Sequence, residues 1–137
     1  MLAGCSKKEE QKGIDASRIS AGPKGRWYLD GKPWNGPHKE YFADGQVKVE
    51  GELVDGRKNG RWVFYRANGS VESEYFFKLD VLDGNETHRH DDEYNRRNLV
   101  KVWKNGRLVS RHEWDISGKR IQTAAPKDSN PMVTAQP

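Results

Sequence analysis

The sequence predicts an all-β protein, an antiparallel meander of hairpin repeats forming an elongated twisted sheet. Three observations carry that prediction. Asn35-Gly36, Tyr41, Asp44-Gly45, Val47 and Glu50 recur 24 positions later as Asn59-Gly60, Tyr65, Asn68-Gly69, Val71 and Glu74. A fixed period of this size marks units that each leave an apolar face bare until a neighbour stacks on it. Second, nine dipeptides place Asp, Asn or Ser before a glycine: at 30–31, 35–36, 44–45, 55–56, 59–60, 68–69, 83–84, 105–106 and 117–118. A residue tolerant of positive φ followed by Gly is what a tight type I′ hairpin turn requires. Third, Val47, Val49 and Leu53 alternate with Lys48, Glu50 and Glu52. Period two is the signature of a strand with one dry face.

Taken in order, residues 1–24 read as a terminal segment and linker, because Ser6 to Lys24 is polar, contains Gly13, Ala21, Gly22 and Pro23, and has no apolar period. Strands are expected near 26–30, 38–43, 46–54, 61–67, 70–79, 99–104, 107–114 and 119–122. Each is bounded by one or more of the Asx-Gly signals, and Gly36, Gly45, Gly60, Gly69 and Gly106 are assigned as structural turns. Leu82 to Asn98 reads as a longer insertion replacing a tight turn, with Asp91-Asp92-Glu93 able to cap one short helical turn before Tyr94. The repeat domain thus spans 25–122, and 123–137, rich in Pro, Ala and polar residues, is expected to be a disordered tail. About a third of the chain is hydrophobic, which allows only a thin core. Five Trp, five Tyr and four Phe compensate, since large rings bury much area per residue.

The run Gly56-Arg57-Lys58-Asn59-Gly60-Arg61-Trp62-Val63-Phe64-Tyr65, with Asn68-Gly69 and Glu74-Tyr75, resembles the variant MORN repeat of bacterial antitoxin-like proteins. The resemblance implies a β-hairpin unit whose Gly-Lys and aromatic positions stack along an elongated sheet. It covers about residues 25 to 120. It is closest over 51–75, weaker over 31–50, and afterwards only a second hairpin remains in Asn105-Gly106-Arg107-Leu108 and Glu113-Trp114. Most members of that family have no demonstrated activity, so the resemblance bears on architecture more than on chemistry.

Cys5, the single cysteine, has no internal partner for a disulfide. Leu2-Ala3-Gly4-Cys5 resembles a bacterial lipobox, in which small residues let a signal peptidase cut before the cysteine that takes the lipid, and Ser6 to Gln11 follows as a polar tether. A signal peptide needs an apolar stretch of about 7–15 residues before the cut. The reading therefore places coding sequence upstream of Met1, or an earlier trimming. Lipidated at Cys5, the chain would be anchored to a membrane without spanning it.

Chemistry has little support. His88-Arg89-His90-Asp91-Asp92-Glu93 gathers metal-ligating types, yet its alternate residues diverge in extended chain and no distant cluster completes a shell. Asp80 to Glu86 fails as a calcium loop because Val81 and Leu82 stand where oxygen ligands should alternate. No metal and no cofactor is expected. No serine lies in a Gly-x-Ser-x-Gly elbow, and Glu50, Glu74 and Glu113 fall at equivalent or near-equivalent repeat positions, where pairing with Lys or Arg across strands is the simpler duty. Trp27, Trp62, Tyr65, Trp103, His88 and His90 are the candidate binding residues. Interleaved with cations, the rings could stack single-stranded bases; core aromatics flanked by snorkelling cations are the simpler alternative.

The leading expectation is a non-enzymatic lipoprotein of the bacterial cell envelope, facing the periplasm or the exterior, that uses its sheet as a protein-interaction scaffold. Its partners would be a membrane, through the N-terminal lipid, and a protein, through the sheet or by self-association at an edge strand. A soluble antitoxin-like or immunity-like inhibitor of a protein is the second reading. A single-stranded nucleic-acid-binding module is the third and least favoured, because the formal charge of +4 is mild and most cations interleave with acids.

Overall fold

The computed structural model describes residues 18–122. Cys5, the lipobox-like segment and the 123–137 tail lie outside the described residues. Within them the chain is antiparallel β-structure. Strands β1 (Ile19–Ala21), β2 (Trp27–Leu29) and β3 (Lys32–Pro33) form a small sheet. The remaining strands are β4 (Gly36–Tyr41), β5 (Val47–Val54), β6 (Arg57–Tyr65), β7 (Val71–Lys78), β8 (Val81–Leu82), β9 (Gly84–Arg89), β10 (Arg97–Lys104), β11 (Arg107–Trp114) and β12 (Arg120–Ile121). They form one sheet in the order β12-β11-β10-β9-β7-β6-β5-β4, with β8 also paired to β7. Every neighbour is the next strand in sequence, apart from the β8–β9 break, so the expected meander is the observed topology.

Two corrections concern what the sequence reads as linker and insertion. Ile19–Ala21 belongs to the fold, pairing with Trp27–Leu29, and Ile19 is buried. The stretch from Leu82 to Asn98 is mostly strand: β8 and β9 together continue along β7, and β9 pairs along β10. Only the loop at 91–95 is extra. It closes through the Asn95 amide on the Asp92 carbonyl (3.1 Å) and the His90 amide on the Arg96 carbonyl (2.8 Å), with no helix.

The Asx-Gly signals divide into three structural roles. Asp30-Gly31, Asp55-Gly56 and Asn105-Gly106 have positive φ at both residues and close two-residue hairpins, as type I′ requires. Gly45, Gly69 and Gly118 are instead the left-handed last residue of a three-residue loop, each amide bonding the carbonyl three residues back (2.9 Å). Asn35-Gly36, Asn59-Gly60 and Asp83-Gly84 are not turns. Gly36 opens β4, Gly60 lies inside β6 and Gly84 opens β9. The assignment of Gly36 and Gly60 as structural turns is therefore corrected.

The Asn or Asp of this third group spans neighbouring repeats. Asn35 Oδ1 accepts from the Asp55 amide (2.8 Å), Asn59 Oδ1 from the Leu79 amide (3.2 Å) and Asp83 Oδ1 from the Asn105 amide (3.0 Å). Beside each, a backbone bond of 2.8 Å runs to the preceding repeat: Gly56 to the Trp34 carbonyl, Asp80 to Lys58, Gly106 to Leu82. The hairpins at 55–56, 79–80 and 105–106 are thus each clamped from the repeat before them. One clamped hairpin, Leu79-Asp80, carries no Asx-Gly signal at all, yet both residues have positive φ.

The core is thin and lies toward the β4–β7 half of the sheet. Val49, Leu53 and Trp62 are buried, with Trp27, Trp34, Phe64, Tyr75 and Phe77 packed against them. Trp27 and Trp34 come from the small sheet and its exit, so that sheet caps one end. Gly51 lies under the Trp62 indole: a Cβ there would stand 2.2 Å from the ring.

Candidate functional site

The face that carries Val49, Trp62 and Tyr75 continues across the sheet, and its repeat positions follow the 24-residue period. His38, Trp62 and Glu86 occupy one slot in successive units, and all three are buried. The His38 ring sits between Trp27 and Trp62, with centroids 5.4 and 5.5 Å away, and its Nε2 faces Glu40 Oε2 at 3.3 Å. Trp62 donates its Nε1 to the Glu52 carbonyl (3.1 Å), while Lys58 Nζ stands 5.4 Å over the ring. In the third unit the slot holds a carboxylate, and its surroundings change to suit.

Glu86 is 6% exposed, so its charge must be matched. Oε2 accepts the Trp103 indole N–H at 2.6 Å, and Oε1 faces His88 Nε2 at 2.7 Å and Lys101 Nζ at 3.8 Å. The pairing of β9 with β10 sets Glu86 opposite Lys101, which supplies the cation by register alone. His88 also meets the edge of Tyr75 at 5.6 Å. This is a satisfied buried network, of the kind that fixes side-chain positions. Both oxygens are engaged by partners within the fold.

Of the six candidate binding residues, the structure brings Trp103 and His88 together through Glu86, a residue that sequence reasoning passed over as part of a failed calcium loop. The missed signal was the period itself: Glu86 stands 24 residues after Trp62. Trp27 and Trp62 sandwich His38 at the other end of the core. Tyr65 lies apart, its hydroxyl donating to Glu50 Oε1 at 2.5 Å. Burial first, and then that bond to a carboxylate, push the Tyr65 phenol up to about 12. His90 also stands alone, its Nε2 donating to the Trp114 carbonyl at 2.9 Å and so tying the 91–95 loop to β11. Among the described residues there is no group of three or more His, Cys, Asp or Glu able to hold a metal ion.

Each candidate side chain has an internal partner, so the group works as fold structure. What remains available is the sheet's margin. At one margin β4 is blunted: Pro37 has no N–H to offer, and its carbonyl accepts the Trp34 indole N–H at 3.1 Å. At the other, β12 pairs only with Glu113 and Trp114. Among the described residues, the outer edge of β11 from Arg107 to His112 has no strand beside it. No protein-family profile, curated protein or solved structure matches the chain.

Proposed function

We propose that this is a non-enzymatic interaction scaffold, a MORN-like repeat sheet held at a bacterial envelope membrane through a lipid on Cys5. The observation that carries the scaffold reading is the unpaired edge of β11 beside aromatics that are already occupied. An exposed strand edge offers backbone donors and acceptors to an incoming strand, a recurring mode of protein recognition. The buried Glu86 network gives a reason for polar groups on the sheet face that needs no substrate. The anchoring half rests on the lipobox-like Leu2-Ala3-Gly4-Cys5 and its polar tether.

The test of anchoring is to express the precursor with its natural upstream codons and compare it with a Cys5→Ser variant. Lipid labelling and partition with membranes should both be lost in the variant. Unchanged labelling and partition would remove the reading of Cys5 as the anchor.

A further inference from the structure

The chain's net positive charge is concentrated at one end of the sheet. Residues 96–122 hold eight Lys and Arg against two acids, Glu113 and Asp115, whereas 18–95 hold twelve against fourteen. The cationic stretch comprises β10, β11 and β12, and among the described residues β11 has no strand on its outer side from Arg107 to His112. Arg107 is exposed along that edge, as is Val109, the extra residue of a bulge against β10, and exposed Arg120 of β12, opposite Trp114, reaches the edge through its bond to the His112 ring. From these we propose that β11 docks an extended acidic peptide, which adds as a strand beside Arg107 to His112 with its carboxylates toward Arg107 and Arg120. This rests on the scaffold reading above and specifies its edge and the chemistry of its partner.

The alternatives fit less well. A second copy of β11 would bring Arg107 and Arg111 against the same cationic edge, and like charges across a strand pair are destabilising. A single-stranded nucleic acid would answer the charge but needs open rings for stacking. Near this end the Trp114 ring has the Arg97 guanidinium over it at 4.8 Å and Trp103 is tied to Glu86, so exposed Tyr94, with Arg96 over one face at 4.3 Å, is a single ring where a strand of bases needs several. An acidic strand alone uses both what the edge offers: unpaired backbone groups and an excess of cations.

The experiment titrates the full-length Cys5→Ser chain with a labelled peptide of alternating Glu and Val, its counterpart with Lys for Glu, and a single-stranded thymidine oligonucleotide. Amide exchange is followed with the peptide bound. The Glu peptide should bind in a salt-sensitive way, slow exchange at 107–112, and lose about tenfold in affinity when Arg107→Glu and Arg120→Glu are combined. A thermal melt checks that the double variant folds; if it does not, Arg107→Gln with Arg120→Gln takes its place. Equal binding of the Lys peptide, tighter binding of the oligonucleotide, no binding, or protection confined to other strands would each overturn the proposal. Protection at another strand would leave the scaffold reading standing, and the Cys5 labelling result is independent of all these outcomes.

Discussion

Gly51 and Trp62 show how a single position sets the core. The indole lies flat over a backbone with no side chain, and an added Cβ would meet three ring atoms at 2.2 to 2.6 Å. Gly51→Ala should therefore destabilise by more than about 2 kcal/mol, since overpacking forces the ring or strand to move. A melting temperature within a degree or two of the parent would contradict this packing. Tyr65 supplies a pH-dependent counterpart. Its folded-state pKa is raised from 10 to about 12, so the neutral phenol is favoured in the fold. That stabilisation is fully present below pH 10 and is lost as pH rises from 10 through about 12. Denaturation across this range should show the parent losing stability more steeply than Tyr65→Phe; parallel profiles would mean that neither the burial nor the Glu50 bond holds the phenol neutral. Tyr65 was legible in the sequence because it repeats Tyr41, but the partners of the aromatic residues were not. Gly51 looks like any strand glycine, and Glu86 looks like a loop acid until the 24-residue offset from Trp62 is applied to it.

At the scale of the element, hairpin clamping explains why similar dipeptides have different fates. Asn59-Gly60 and Asn105-Gly106 are indistinguishable by composition, yet only the second is a turn. What separates them is position relative to the next hairpin, which the side chain of Asn59 reaches across the sheet. The strands from β4 to β7 and β10 to β11 were legible from alternation and turn signals. Strand β9 was not, because its buried face carries Glu86 and His88 in place of apolar residues. The β7–β8 hairpin was missed because Leu79-Asp80 has no glycine, and Leu79 is held at φ 47° by its clamp. Two outcomes follow for chemical denaturation. Asn59→Ala should cost about 0.5–1.5 kcal/mol by removing the bond to the Leu79 amide, whereas Leu79→Asn should gain up to about 1 kcal/mol by placing a residue suited to positive φ in an exposed turn. No loss from the first, or a loss from the second, would show that the clamp does not hold this hairpin.

Across the whole molecule, the repeat array has unlike ends. The first end is closed by the small sheet, the Trp27 and Trp34 rings and the Pro37 edge. At the second, among the described residues, β12 covers only Glu113 and Trp114 of β11. Where Asn59 and Asp83 stand two residues after the opening of their strands, β11 has Val109, which cannot accept a hydrogen bond and is half exposed. Among the described residues no further hairpin is clamped there, and this is the edge proposed to take a partner. The fold class was legible from the repeat and the turns, but the inequality of the ends was not, because it depends on which strand each terminal segment covers. The most direct test of the account is to place a photoreactive residue at position 109, or at exposed Lys48 as a control, in the precursor expressed with its natural upstream codons. The account predicts a protein adduct from position 109 in the membrane fraction that the alternating Glu and Val peptide displaces, and none from position 48. Adducts from position 48 alone, or equal adducts from both that the peptide leaves unchanged, would contradict it.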